Sequence, residues 1–349
     1  MKKRLLFVAL IPMMISVMGC QGNKDYFTYW EKRSVLFKLI DYVNDVTNKN
    51  SVNYIPVEDR IATFDMDGTF VGELYPTYFE YNLLEYRALE DPTYKDIAPQ
   101  PVVEAAYQIR NHVREGASLP SDFDLIHGRA AAVAYSGMTI KEFDDYVKAY
   151  AQKTPYGFEG MTYATSFYKP MLQIFDFLEA HDFTYYVVSG SDRYLCRALV
   201  DSIAIPSNRV IGMDVSMKTT KQGDQQGVKY NMEVGEDVIR GDELLIKNLK
   251  TNKVFNISQE IGKVPVLSFG NSSGDQAMHN YCKGNTKYKT ETFMLIADDE
   301  QEDHVNLEET ARRKAIWEEN NYNIISMKDD FKTIYGYNVQ KVPFPWENN

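Results

Sequence analysis

The sequence predicts an α/β protein with a doubly wound parallel sheet and a helical unit inserted after the first strand. Three short apolar runs, at 61–64, 185–188 and 264–267, each end in a loop that contains glycine and polar side chains. Apolar residues at helical spacing lie before or after these runs, as they do in βα units. More than a hundred residues separate the first two runs, too many for one crossover connection. We therefore expect a core built on a sheet and a separate insertion.

The composition is that of a folded globular protein. The chain has 349 residues, 44% of them hydrophobic, which is enough for a full core and one accessory domain. Its formal net charge of -11 argues against nucleic acid as a partner. An acidic surface does not exclude an anionic substrate, because a bound divalent cation dominates the local field. The composition indicates no particular oligomeric state.

The first twenty residues have the pattern of an export signal. A basic start at 2–4 precedes an apolar run at 5–18, and Gly19-Cys20 closes the segment. The run is too short for a typical membrane-spanning helix. The cysteine after Gly19 resembles a bacterial lipoprotein signal, which implies cleavage before Cys20, lipidation of Cys20 and anchoring on the extracytoplasmic side of a bacterial membrane, in the cell envelope. A plain secreted protein with an incidental cysteine is the alternative.

The rest of the chain divides into three predicted units. They are an N-terminal segment at 21–57, a core formed by 58–74 and 168–349, and a helical cap at 75–167. The N-terminal segment contains an amphipathic helix at 30–48 that we expect to pack on the core. In the cap, helical spacing and a capping box at Thr139 and Glu142 predict helices at 78–89, 102–113 and 140–152. Such a cap excludes water from a site beneath it.

Two cysteines remain besides Cys20. Cys196 and Cys282 fall on helices expected on different faces of the sheet. We therefore expect buried free thiols rather than a disulfide.

The loop after the first apolar run carries the clearest chemistry. Asp65 and Asp67 stand one residue apart at the carboxyl end of a predicted strand, where open α/β sheets bind ligands. Two such anions repel unless a cation lies between them, and magnesium prefers carboxylate oxygens. The two acids can also divide the roles of nucleophile and proton donor. Gly68 lets backbone amides approach an anion. A plain Asx turn uses the same residues, but an EF-hand would need a later glutamate that is missing here.

Polar residues also follow the other predicted strands. Ser189 and Gly190 end the second run, Lys253 opens a helical stretch, and Asn271 and Asp275 lie four apart in a glycine-rich loop after the third run. Each has an ordinary structural explanation, as a helix N-cap, a surface lysine or a turn. Their order, each at a strand end or a helix start, favours one shared site.

Together these motifs resemble the haloacid dehalogenase superfamily of phosphohydrolases. The motif Phe64-Asp65-Met66-Asp67-Gly68-Thr69 is similar to the first motif of that superfamily, and Ser189, Lys253 and the loop from Gly270 to Asp275 match the other three. The similarity extends over residues 59–299 and is greatest to the phosphoserine-phosphatase-like branch, in which the cap is inserted after the first motif. One position departs from the family pattern, because Asn271 replaces the usual acid.

The resemblance implies a role for each matching residue. It implies Asp65 as nucleophile, Asp67 as proton donor and then base, and a Mg²⁺ ion held by Asp65, the Asp67 carbonyl, Asn271 and Asp275. The groups expected to bind phosphate are Gly68, Thr69, Ser189, Gly190 and Lys253. The implied activity is magnesium-dependent hydrolysis of a small phosphate monoester through an aspartyl phosphate. The second acid, Asp67, argues against a dehalogenase.

Three residues of the insertion are candidates for substrate selection. Glu73 would meet a cationic group, Tyr78 belongs to a tyrosine cluster suited to a quaternary amine, and Arg129, in a predicted loop, would clamp an anion. Packing or solvent exposure explains each of them equally simply. Two other functions stay open: a lipid-anchored binding protein without turnover, which Asn271 favours, and phosphoryl transfer to an acceptor other than water.

Overall fold

The computed structural model describes residues 25–347 and is built around a seven-stranded, mostly parallel sheet. In chain order the strands are β1 (Ile61–Phe64), β2 (Phe158–Glu159), β3 (Thr184–Asp192), β4 (Val210–Thr219), β5 (Val238–Ile246), β6 (Leu267–Gly270), β7 (Glu291–Ile296), β8 (Asn323–Ser326) and β9 (Gln340–Lys341). The sheet order is β5-β4-β3-β1-β6-β7-β8, with β5 antiparallel to β4, while β2 and β9 form a separate ladder. The predicted α/β fold is confirmed.

Helices surround this sheet. They are α1 (Ser34–Thr47), α2 (Phe79–Leu89), α3 (Gln100–Glu115), α4 (Phe123–Ala134), α5 (Ile140–Ala151), α6 (Lys169–Glu179), α7 (Arg193–Val200), α8 (Thr251–Asn256), α9 (Gln276–Lys283), α10 (Leu307–Glu319) and α11 (Met327–Asp330). Helices α2 to α5 form the insertion between β1 and β3. A single π-helical turn, Ile257–Ile261, continues α8.

Strand β1 lies at the centre, and this position explains its composition. All four of its residues are buried, and Thr63 pairs in parallel with Tyr186 of β3 on one side and Ser268 of β6 on the other. A parallel strand covered on both faces is apolar throughout rather than alternating. The chain continues from β1 to β3 and β4 on one side, and later to β6, β7 and β8 on the other. The strand order therefore reverses between β1 and β6, and a crevice opens at their carboxyl ends.

An aromatic layer packs beside these central strands. The rings of Phe64 and Phe269 stack with centroids 4.3 Å apart, and Phe269 stacks on Phe293 at 5.1 Å. Phe175 of α6 meets Phe64 edge-on at 4.6 Å. Burial of such large side chains is the main favourable term that holds β1, β6, β7 and α6 together.

The N-terminal segment is part of the core. The indole Nε1 of Trp30 donates to the Pro170 carbonyl at 2.8 Å, and the Trp30 ring meets Phe331 at 4.9 Å. On α1, the Tyr42 hydroxyl donates to the Val266 carbonyl at 2.8 Å. The predicted helix is confirmed, but it begins at Ser34, because Trp30 instead forms a β-bridge with Phe331.

The three helices predicted for the insertion are confirmed, and a fourth replaces a predicted loop. Arg129 was expected in a loop, yet it lies within α4, as do His127 and Gly128. Gly128 fits in this helix because α4 lies against β5: a Cβ at Gly128 would come within 3.1 Å of Leu244. The backbone also connects the insertion to the sheet edge, since Gly137 N donates to the Arg240 carbonyl at 2.8 Å.

Several other expectations can be compared with this fold. Residues 227–229 form a single 3-10 turn, and the edge strand β5 runs from Val238 to Ile246, paired with β4. Cys196 and Cys282 are free and buried, as predicted. In residues 25–347 no helix is long and apolar enough to cross a bilayer. The export signal and Cys20 lie outside the described residues.

The packing of α1 predicts a clear difference between two neighbouring substitutions on that helix. Leu39 is 1% exposed and Phe37 is 46% exposed. We expect Leu39→Ala to lower the free energy of unfolding by about 2–5 kcal/mol, because it leaves a cavity in the core. Phe37→Ala should change it by less than about 0.5 kcal/mol. Urea denaturation of both purified variants measures the difference, and equal effects would contradict the docking of α1.

Candidate active site

The predicted motifs meet at the carboxyl ends of the central strands. Asp65 and Asp67 follow β1, Asn271 follows β6, and Ser191 lies near the end of β3. Because β1 and β6 flank the reversal of strand order, these side chains surround one crevice. Lys253 reaches the same crevice from α8.

Lys253 joins two acids at the base of this crevice. Its Nζ donates to Asp65 Oδ1 at 2.5 Å and to Asp275 Oδ1 at 2.7 Å, and its side chain is 1% exposed. Burial raises the pKa of Asp65 to about 7, with a further contribution from Asp275, although Lys253 opposes the shift. The pKa of Lys253 is raised, because the attraction of both carboxylates exceeds the effect of its burial. The lysine therefore stays charged.

Asp275 organises the loop that carries Asn271. Its Oδ2 accepts hydrogen bonds from the backbone N–H groups of Asn271 and Ser272, at 3.0 and 2.9 Å, and from the Ser272 hydroxyl at 3.2 Å. Its Oδ1 accepts from Lys253. Although burial opposes the shift, Lys253 lowers the pKa of Asp275. Both oxygens of Asp275 are thus engaged in holding the loop and the lysine.

Asp67 is held by the end of β3. The Ser191 hydroxyl donates to Asp67 Oδ2 at 2.8 Å, while Asp67 Oδ1 is buried and has no hydrogen-bond partner among residues 25–347. Burial and the neighbouring Asp65 raise the pKa of Asp67 well above its usual range. Asp67 is therefore suited to carry a proton at neutral pH.

A tight turn at Gly68 brings the two loops together. Gly68 has a φ of +73°, and its N–H donates to the Val71 carbonyl at 2.7 Å. A Cβ at this position would lie 2.0 Å from the Asn271 Nδ2 and 2.5 Å from the Glu73 carboxyl carbon. Only glycine allows both this backbone conformation and this close approach. Thr69 is buried beside it, with its hydroxyl 3.5 Å from Asn271 Oδ1.

Several of these residues line a cavity of about 220 Å³ between the core and the helical insertion. Its walls include Asp65, Asp67, Ser191 and Lys253 from the core, and Tyr78 and Tyr81 from the insertion. The rings of Tyr78 and Tyr81 meet edge-on at 5.3 Å. The cavity thus has a charged base and a partly aromatic wall.

A buried ion pair connects the insertion to the core at this wall. Lys247, just after β5, donates to Glu80 Oε1 of α2 at 2.7 Å, and the two side chains are 4% and 7% exposed. The Asp192 N–H donates to Glu80 Oε2 at 3.3 Å. Asp192 in turn accepts two hydrogen bonds from Arg240, at 3.2 and 2.7 Å. The position of α2 over the cavity is fixed by these charges.

The structure brings together most of the predicted residues, with three exceptions. Ser189 does not line the cavity; its hydroxyl accepts from the Ser191 N–H at 3.0 Å, and Gly190 and Ser191 line the cavity instead. Arg129 is exposed on α4 and is not in the cavity wall. Glu73 is buried on the far side of Asn271, because the turn at Gly68 folds it back toward that loop. Tyr78 lies where it was expected.

Sequence analysis did not find several cavity residues. Ser191, Glu80, Lys247 and Arg313 all line the cavity. Ser191 is the only one with a local signal, since it stands two residues after Ser189 in the same motif. The other three come from distant parts of the chain, and no local pattern indicates them.

Magnesium fits the residues at the end of β1. Asp65, Asp67 and Asn271 line one cavity, they carry oxygens of the kind that Mg²⁺ prefers, and Asp67 Oδ1 lacks a hydrogen-bond partner. In the described part of the chain no group of three or more His, Cys, Asp or Glu side chains is arranged to hold a metal. At the end of β1 the Asn271 amide stands beside the carboxyl groups of Asp65 and Asp67. Asp275, with both oxygens engaged, would act behind these ligands.

Comparison with known proteins supports the fold. No family model matches the chain, and no curated protein matches it. A solved structure of a conserved protein of unknown function from Anaerococcus prevotii DSM 20548 has a TM-score of 0.52 at 16% identity, covering 90% of this chain and 99% of that one. The two chains share a fold.

Two further solved structures are more distant. Cytosolic 5′-nucleotidase IIIB bound to cytidine has a TM-score of 0.47 at 11% identity, covering 77% of this chain and 80% of that one. A phosphoserine phosphohydrolase-like protein from Francisella tularensis subsp. tularensis SCHU S4 has a TM-score of 0.40 at 13% identity, covering 76% and 94%.

The turn at Gly68 gives a prediction with a matched control. Gly68 and Gly116 both have a positive φ, +73° and +68°, but a Cβ at Gly116 would meet nothing within 4 Å. Both alanine variants should lose about 1–2 kcal/mol from backbone strain. Gly68→Ala should lose about 1–3 kcal/mol more, because its methyl group displaces Asn271 and Glu73. Urea denaturation in EDTA measures both losses, and equal losses would show that the close approach at Gly68 has no energetic weight.

Proposed function

We propose that the protein is a magnesium-dependent phosphatase of the haloacid dehalogenase superfamily that hydrolyses a small phosphate monoester through an aspartyl phosphate on Asp65. The observation that carries this proposal is the arrangement around Asp65. Its carboxylate lies in the base of the cavity between the core and the insertion, in contact with the charged Lys253, and a second acid suited to carry a proton lies two residues away.

In the first step, Asp65 attacks the phosphorus in line with the ester oxygen. The Asp65–phosphorus bond forms while the bond from phosphorus to the ester oxygen breaks, and the departing oxygen takes the proton of Asp67. The raised pKa of Asp67 supports this role, because it favours the protonated form of the carboxyl group. The Ser191 hydroxyl orients Asp67 through its hydrogen bond.

In the second step, the deprotonated Asp67 takes a proton from water. The water oxygen then attacks the phosphorus of the aspartyl phosphate, which returns Asp65 and releases inorganic phosphate. Lys253 stabilises the charge on the phosphoryl oxygens in both steps, with Asp275 holding its ammonium group in place. Gly190 also lines this cavity, whereas the Gly68 amide is engaged with the Val71 carbonyl and the Ser191 hydroxyl with Asp67.

Magnesium, held by Asp65, the Asp67 carbonyl and Asn271, would reduce the repulsion between the carboxylate and the phosphate. The size of the cavity supports a small substrate. About 220 Å³ under a closed insertion accommodates the phosphoryl group and a leaving group of a few atoms. Tyr78 and Tyr81 form the wall that faces this leaving group.

One observation favours a second function. Asn271 contributes no charge where the superfamily pattern has an acid, and a lipid-anchored binding protein that lost turnover would tolerate such a change. The two proposals differ in whether phosphate is released from phosphomonoesters in the presence of Mg²⁺. Transfer to an acceptor other than water would appear in the same assay as a phosphorylated product.

Two substitutions test the covalent mechanism. We expect Asp65→Asn to lower phosphate release from p-nitrophenyl phosphate at least about a thousandfold, as loss of a catalytic nucleophile does. Asp67→Asn should still form the aspartyl phosphate from this substrate, because its leaving group needs no proton, but should hydrolyse it slowly. Intact-protein mass spectrometry should then find one added PO₃H group on Asp67→Asn and none on Asp65→Asn.

The control for this pair is Asp41→Asn, the same change at an exposed position of α1. It should keep full activity. Release that persists in Asp65→Asn would rule out Asp65 as the nucleophile, and release by no variant under any divalent metal would favour the binding protein.

We also propose that the mature protein is anchored to a membrane in the cell envelope through lipidated Cys20. This proposal is supported by the sequence of the first twenty residues. In bacterial cells that process lipoproteins, the wild-type protein should partition into the detergent phase of Triton X-114, and Cys20→Ala should move to the aqueous phase. Detergent-phase partitioning of Cys20→Ala would contradict the lipid anchor.

A further inference from the structure

Glu73 is a buried acid that the steps above do not use. It is 8% exposed, and in the described part of the chain its Oε2 has no hydrogen-bond partner. It lines a separate pocket of about 80 Å³ together with Gly68, Asn271 and Arg313, on the side of Asn271 away from the substrate cavity. A buried carboxylate oxygen without a partner is costly, so its presence calls for an explanation.

The Glu73 carboxylate and the Asn271 amide meet over Gly68. A Cβ on Gly68 would lie 2.0 Å from Asn271 Nδ2 and 2.5 Å from Glu73 Oε2, so both groups crowd the same face of that glycine. Burial raises the pKa of Glu73 to about 7, although the positive charge of Arg313 and, after it, hydrogen bonding from the Asn271 amide oppose the shift. Glu73 is thus directed at the residue that departs from the family pattern.

The proposed magnesium site has little negative charge of its own. Asp65 contributes one negative charge, the Asp67 carbonyl none and the Asn271 amide none, so one charge faces a divalent cation. An acid at 271 would supply a second. Glu73 places a second negative charge beside Asn271 without occupying its position.

We infer that Glu73 supplies the charge that Asn271 lacks, and that it does so as a positioning residue through the Asn271 amide. An amide that donates through Nδ2 to this carboxylate turns its oxygen Oδ1 away from Glu73. The Asn271 Nδ2 lies on the Glu73 side, over Gly68, and its Oδ1 lies 3.5 Å from the Thr69 hydroxyl. Partners of this kind behind a metal ligand fix its orientation and raise its affinity. This inference rests on the proposed function, since it needs a metal at Asp65.

Other charged groups near Glu73 do not explain why an acid is buried at this position. Arg313 faces the same pocket, but its Nε donates to Glu309 at 2.8 Å, and within residues 25–347 Glu73 forms no ion pair. Asp275 also acts on Glu73, and its charge is repulsive. A role for Glu73 in binding a cationic substrate group does not fit its place outside the substrate cavity.

Moving the negative charge from position 73 to position 271 tests the inference. Isothermal titration calorimetry with Mg²⁺ and with Mn²⁺, on purified EDTA-treated protein, gives the affinity of the wild type, Glu73→Gln, Asn271→Asp and the double variant. We expect Glu73→Gln to weaken binding about 10- to 100-fold. The double variant, which has the wild-type number of charges, should regain most of the lost affinity. Glu115→Gln, an exposed change on α3, should bind as the wild type does.

Thermal unfolding in EDTA separates this role from a structural one. Glu73→Gln removes a buried charge, so the metal-free variant should be at least as stable as the wild type. Loss of metal-free stability would mean that Glu73 acts in packing and would overturn the inference.

The affinities give three further outcomes. Wild-type affinity in Glu73→Gln overturns the inference alone, and so does a double variant that stays as weak as Glu73→Gln. A wild-type protein that binds neither Mg²⁺ nor Mn²⁺ overturns the metal site of the proposed function itself.

Discussion

The contact between Lys253 and two aspartates determines how the rest of this structure is arranged. Asp65 and Asp275 come from different loops, and each would pay a large desolvation cost in the cavity without a cation beside it. One ammonium group, 1% exposed, satisfies an oxygen of each. Removal of either partner would leave an uncompensated buried charge, so β1, α8 and the loop after β6 have to keep one relative position. The parallel sheet supplies that position at its central strands.

The base of the cavity nevertheless remains short of positive charge. Asp65, Asp67 and Asp275 are all buried there, with one lysine among them. Burial raises the pKa values of Asp65 and Asp67, and the negative charge of a neighbouring aspartate raises each of them further. A divalent cation bound beside them would lower both pKa values. The same excess of negative charge that makes the metal-free site unfavourable is what would attract magnesium. Stability and function therefore place opposite demands on these acids.

The sequence predicted the sheet and the main loops because their signals are local. Apolar runs that end in Asp65 or Asn271 need only a few neighbouring residues to be recognised. The sequence did not reveal contacts that depend on how separate parts of the chain come together in the fold. β3 continues to Asp192 with a register shift after Val188, and for that reason Ser191, and not Ser189, meets Asp67. The pair of Glu80 and Lys247 joins residues 167 apart, and no periodicity encodes such a contact.

The ion pair between Glu80 and Lys247 also bears on how the insertion could separate from the core. A buried ion pair contributes little net stability, because the attraction between its two charges mainly offsets the free-energy cost of removing them from water. If the insertion lifted from the core, Glu80 and Lys247 would regain water, so opening would cost less than it would across an apolar interface of the same size. In the closed form their geometry defines one position for α2, which an apolar contact would specify less strictly. An ion pair at this wall would thus combine a single closed position of α2 with a low cost of opening, which the proposed function needs for substrate to enter a cavity of about 220 Å³.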